Sequence, residues 1–179
     1  MIWMVRPFIP EMRWKLSPEA ILAGVAVFVL WIGLPGFLRM LGVASSFAEF
    51  KISGGKWNPF NHFGELTVAW FFICIRLAGA AIVVPMLEEV FFRSLLYRYI
   101  VSPNFLSVAL GQFHWKPFLI TSIIFGLEHR EWLAGILCGF AYQGLVCWKK
   151  RLGDAMTAHA ITNLLLGLWV VWKSAWNFW

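Results

Sequence analysis

The sequence predicts an all-α membrane protein, a polytopic transmembrane helical bundle of about five to seven helices. Three observations lead there. Of 179 residues, 60% are hydrophobic and only 13% are charged, where a soluble domain carries about 25%. The mean hydropathy is +0.72. A water-soluble fold of this size leaves roughly a third of its potential surface exposed and could not hide so much apolar area. The apolar residues also fall in long runs, near the length that crosses the hydrocarbon of a bilayer.

By length the chain is one domain, residues 1–179. Residues 1–17 are amphipathic and basic, with Arg6, Arg13 and Lys15. Ser17-Pro18 starts a helix, since proline suits the first turn, and an apolar run follows from Ala20 to Leu38. The apolar region of a cleaved signal peptide is usually about 7–15 residues. This run is longer and reads as a retained helix. Residues 41–64 read as a loop, with Ser53-Gly54-Gly55 and Trp57-Asn58-Pro59, resting on the bilayer surface through its Phe and Trp.

The stretch from Leu66 to Val101 would reach about 54 Å if wholly helical. It predicts one long, tilted helix kinked at Pro85. Residues 102–116 form a loop; Pro117 opens a helix to about His129, and another follows from Trp132 to Trp148. Lys149-Lys150-Arg151 and Gly153-Asp154 make a turn before the last helix, Ala155 to Trp172, with Asp154 expected as its cap. Trp14, Trp57, Trp132, Trp148, Trp172, Trp176 and Trp179 fall near segment ends, as an interfacial aromatic belt requires.

The net charge is +6. With the segments alternating from a cytoplasmic N-terminus, one side holds Arg6, Arg13, Lys15, Arg93, Arg98, Lys116, Lys149, Lys150 and Arg151. The other holds Lys51, Lys56, Arg130 and Lys173. This asymmetry follows the positive-inside rule and predicts a cytoplasmic N-terminus. The basic residues sit beside apolar segments, so the expected partner is membrane lipid and not nucleic acid. Cys74, Cys138 and Cys147 lie in apolar stretches without a CxxC pair, and read as small hydrophobes.

Intramembrane charges are costly and mark function. Glu88 and Glu89 lie inside an apolar helix, and adjacent helical residues point about 100° apart. Glu89 and Arg93, at i and i+4, can pair. Glu88 then projects from another face and is free for chemistry. The plainer alternative is that both glutamates only hold helices together. His129 ends one apolar segment; His159 and Asn163 share one face of another, where two donors could hold an oxyanion. A lone buried histidine is more often structural. Here, however, polar groups on several apolar segments must face one another. Such a cluster could activate water, hold a metal through Glu and His, or carry protons or ions. The HExxH and GxSxG signatures are absent. One tension concerns depth: His129 lies about 18 Å along its helix from Pro117, His159 only about 9 Å from Gly153.

Glu88-Glu89-xxx-Arg93, Phe125-xxx-His129 and His159-xxx-Asn163, in that order, resemble the CAAX protease and bacteriocin-processing family, the type II CAAX prenyl endopeptidases. The resemblance covers about residues 66–172. The stretch RLAGAAIVVPMLEEVFFRS further resembles the bacterial CAAX protease-related proteins associated with exosortase systems. The resemblance implies a membrane endopeptidase acting on a peptide or membrane-anchored protein. In it Glu88 and His129 activate water, His159 and Asn163 support the oxyanion, and Glu89 and Arg93 are partners. No cofactor is expected, although older views of the family keep a metal site in play. Processing of prenylated CAAX proteins is the eukaryotic activity; the bacterial subgroup points instead to secreted or anchored proteins. A non-catalytic scaffold, an immunity factor or a transporter are the competing functions. Glu128 departs from the pattern, beside the motif histidine where a small or apolar residue is expected; Arg76 or Arg130 could pair with it.

Overall fold

The computed structural model describes residues 10–43 and 57–178. The expectations for Arg6, Lys51, Lys56, Trp179 and Ser53-Gly54-Gly55 lie outside them. Six helices form the described chain: α1 (Pro18–Met40), the short α2 (Pro59–Phe63), α3 (Leu66–Val101), α4 (Trp115–Leu127), α5 (Trp132–Lys149) and α6 (Gly153–Lys173). The described residues contain no strand. α1, α3 and α6 are each long and apolar enough to cross a membrane. The chain is an integral membrane protein built as a helical bundle.

α1 starts where Ser17 accepts a hydrogen bond from the Ala20 amide at 3.2 Å, with Pro18 in the first turn. The same Ser17 hydroxyl donates to Asp154 at 2.5 Å. Asp154 therefore does not cap α6 as expected. It lies in the first turn, where a carboxylate suits the helix dipole, and ties α6 to α1 and to Arg151. Its hydrogen bonds raise the Arg151 guanidinium above its usual range.

One end of the bundle is closed by polar contacts. Lys149 meets Glu19 at 3.0 Å, Lys150 donates to the Gly111 carbonyl at 2.6 Å, and Arg98 meets Glu11 at 3.1 Å. The starts of α1 and α6 and the ends of α3 and α5 thus share one face with Lys15, Lys149, Lys150 and Arg151. Arg93, expected at this end, is instead buried among the helices. At the opposite end Phe60 packs on Trp70 and Trp176, 5.6 and 5.8 Å between ring centres.

Two close crossings set the interior. A Cβ on Gly139 would fall 2.9 Å from the Ser122 Cα, so α4 and α5 touch backbone to backbone. A Cβ on Gly24 would fall 2.6 Å from the Ala158 carbonyl oxygen, and α1 lies equally close on α6. Where lipid supplies no hydrophobic drive between helices, small residues allow the close packing that does.

α3 runs unbroken past Pro85 but is wound in two π segments, Gly79–Val83 and Val90–Leu96. The Val84 amide reaches back to the Gly79 carbonyl. In that register the next carbonyl, Ala80, would need an N–H from residue 85, and proline has none. The π winding lets the helix continue through the proline.

Candidate active site

The motif residues come from α3, from the turn after α4, and from α6. Glu89 and Arg93 are 0% and 1% exposed, and Glu89 Oε2 lies 3.2 Å from Arg93 Nε. Glu89 Oε1 lies 3.0 Å from His159 Nδ1. The other ring nitrogen, His159 Nε2, lies 3.9 Å from Glu88 Oε2. His159 therefore sits between the two carboxylates, one bonded and one beyond hydrogen-bond range. The Glu88 side chain is 27% exposed, whereas His159 is buried. Glu89 is enclosed and paired with Arg93, as its spacing predicts, whereas Glu88 is partly exposed.

The Arg93 guanidinium lies over the Phe125 ring at 4.3 Å and near Phe92 at 5.5 Å. Both contacts stabilise the cation through the ring face. Phe125 is the hub of the site, since it also touches His129, 4.9 Å between ring centres, and His159, 6.0 Å edge-on.

His129 is half-buried in the turn after α4. Its Nδ1 lies 2.8 Å from the Phe125 carbonyl. A carbonyl only accepts, so Nδ1 carries the proton and the neutral ring presents a lone pair at Nε2. Trp31 of α1 covers the ring edge-on at 5.4 Å. His129 lies within Coulombic reach of His159 and Arg93. The expected direct partnership of Glu88 with His129 is not what the geometry brings closest. Glu88 faces His159, and His129 joins the cluster across Phe125.

His129 and His159 meet despite their different distances along their helices, because both pack on Phe125, with ring centres 4.9 and 6.0 Å away.

Asn163 donates from Nδ2 to the Ala80 carbonyl at 2.9 Å. This is the carbonyl that the π register and Pro85 leave without a main-chain donor. Asn163 thus caps the irregular turn of α3, and its amide keeps a second N–H for other use.

Glu128 is exposed and within Coulombic reach of Glu88. Neither proposed partner takes it: Arg130 lies 4.0 Å from Glu131 and Arg76 lies over Trp57 at 5.9 Å. Of the cysteines, Cys138 is buried, Cys147 half-buried and Cys74 exposed, and all are free. His62 lies in α2 against Trp57 and Phe63. Among the described residues no three His, Cys, Asp or Glu side chains converge as a metal-ligand set.

Sequence reasoning passed over three residues that shape the cluster: Tyr142, stacked on His159; Thr162, which receives the Tyr142 hydroxyl; and Trp31, which covers His129. A tyrosine inside an apolar helix was the available signal, since a buried phenol hydroxyl must find a partner.

No curated protein matches the chain. No solved structure matches it either. The family model described as type II CAAX prenyl endopeptidase Rce1-like matches residues 67–165, which takes in α3 nearly whole, α4, α5 and the motif half of α6. That span contains each of the three motifs, and the chain belongs to this membrane protease family.

Proposed function

We propose that the protein is a membrane-embedded endopeptidase that hydrolyses a peptide bond with water activated by Glu88 and His129. The observation that carries this is the convergence of Glu89, His159 and Glu88 from α3 and α6, with one carboxylate enclosed and the other accessible. Glu88 accepts a proton from water as its oxygen attacks the peptide carbonyl carbon. His129, with its Nε2 lone pair, orients the same water. The carbonyl oxygen gains charge and is held by His159 and by the spare N–H of Asn163. The C–N bond then breaks, and the proton held by Glu88 passes to the leaving amine.

The geometry fits this division: Nδ1 of His159 is turned to Glu89, so the atom left to face the oxyanion is Nε2.

The reaction needs no cofactor. The basic face formed by Lys15, Lys149, Lys150 and Arg151 supports a cytoplasmic N-terminus, with anionic lipid as its neighbour. We assign the protein to a bacterial inner membrane. The stretch resembling the exosortase-associated subgroup favours a secreted or anchored protein as substrate. The test is to compare membrane peptidomes of cells with and without the protein. New, recurrent chain ends that depend on its presence are expected. Unchanged peptidomes would favour a scaffold or immunity factor, and substrate-coupled ion flux without cleavage a transporter.

A further inference from the structure

We propose that Tyr142 is a positioning residue for His159, anchored through Thr162 to the backbone of α1. The inference rests on the role just given to His159, and concerns residues outside the three motifs.

Tyr142 is 0% exposed, and its ring stacks on the His159 imidazole with centres 5.0 Å apart and planes 25° apart. Its hydroxyl donates to Thr162 Oγ1 at 2.7 Å. Thr162 Oγ1 in turn lies 2.9 Å from the Gly24 carbonyl and 3.0 Å from the Ala158 carbonyl. Carbonyls only accept, and a hydroxyl has one proton. The threonine proton therefore goes to these carbonyls, and the tyrosine proton must go to the threonine. The chain of donors has one direction, from Tyr142 to Thr162 to the backbone of α1 and α6. It fixes the phenol ring at its far end.

The imidazole needs such a wall. The ring turns about its Cβ–Cγ bond, and one hydrogen bond, from Nδ1 to Glu89, opposes that turn. The Tyr142 face blocks the turn on one side, and Phe125, 82° to the imidazole plane, blocks its edge. Nε2 is then held toward Glu88. A π face against the ring also stabilises it when it gains a second proton. Gly24, at the end of the chain, lies outside the residues matched to the family, so α1 contributes to the site through this anchor as well as through Trp31.

The test is histidine side-chain 15N NMR on the full chain in detergent micelles, with the His159 signals assigned by their absence in H159Q. The wild type is expected to show His159 in one form, with an N–H at Nδ1 toward Glu89 and one at Nε2, as its oxyanion role requires. Tyr142→Phe keeps the ring but loses the anchor, and should move the spectrum part of the way toward that of the leucine variant. Tyr142→Leu should give averaged nitrogen shifts, as the ring turns and its N–H groups leave their fixed partners. Thr162→Val removes the anchor with little change in volume and should move the spectrum in the same direction, which keeps the test open if the leucine variant does not fold. In the membrane-peptidome assay Tyr142→Leu should lower cleavage about 10²-fold, the cost of misplacing a reacting group by an ångström, and Tyr142→Phe less than 10-fold. A single His159 form, unchanged from the wild type, in both Tyr142→Leu and Thr162→Val would overturn the proposal, as would a wild-type His159 not protonated at Nδ1. Absence of cleavage by the wild type would count against the peptidase role, while the spectra would still decide whether Tyr142 holds His159.

Discussion

Replacing Glu89 with leucine removes a carboxylate that touches Arg93 at 3.2 Å and His159 at 3.0 Å. Both Arg93 and Glu89 are almost wholly enclosed, at 1% and 0% exposure. Arg93 cannot shed its proton, and it has no water to turn to. Its remaining contacts are the faces of Phe125 and Phe92 and the Coulombic pull of Glu88. Leaving a buried charge without its partner costs about 3–5 kcal/mol. For a chain of this size a kcal/mol shifts the melting temperature by about 2–4 °C. The expected loss for Glu89→Leu is therefore roughly 6–20 °C, read by thermal unfolding of the purified protein in detergent. Replacing both members tests the cause. A buried ion pair exchanged for apolar residues of similar volume is often neutral, so the E89L/R93M double variant should regain most of the lost stability. If Glu89→Leu unfolds at the wild-type temperature, or the double variant is as unstable as the two single losses combined, the pair is not what balances the Arg93 charge.

Three further outcomes are expected. Asn163→Leu should cost about 1–3 kcal/mol by leaving the Ala80 carbonyl unpaired. Pro85→Ala supplies an N–H in the π register, so P85A/N163L should be more stable than additivity allows; a double-mutant cycle with additive costs would contradict the capping role. Gly139→Ala places a methyl 2.9 Å from the Ser122 backbone and should cost about 1–3 kcal/mol in unfolding assays. Gly33→Ala, with nothing within 4 Å, should cost nothing. Cleavage should survive exhaustive chelation in a metal-free preparation; activity lost to chelation and restored by a divalent ion would contradict water activation by side chains alone.

The bundle was legible because lipid constrains sequence so strongly. Each long apolar run became a helix within two or three residues of its expected bounds, since the capping serine before Pro18 and the turn at Lys150–Leu152 mark their ends chemically. The pairing of Glu89 with Arg93 followed from helical spacing alone. The contacts of His159 did not, because they depend on how far α3 slides past α6, a packing quantity that spacing along one helix does not contain. Asn163 shows the same limit: its place on a face with His159 was readable, but the orphaned Ala80 carbonyl arises only once the π winding meets Pro85. Asp154 was read as a local cap because a sequence shows neighbours first, whereas its partners are Ser17, far along the chain, and Arg151.

The central claim is that Glu88 is the base that makes the peptide bond cleavable. Its side chain is the more exposed carboxylate of the pair, and its neighbour His159 Nε2 lies at 3.9 Å, beyond hydrogen-bond range. The direct measurement is cleavage in membranes carrying Glu88→Gln at wild-type abundance, with unfolding followed in parallel. The account predicts that cleavage disappears while the melting temperature stays within a few degrees of the wild type. Wild-type cleavage by the folded Glu88→Gln protein would contradict it.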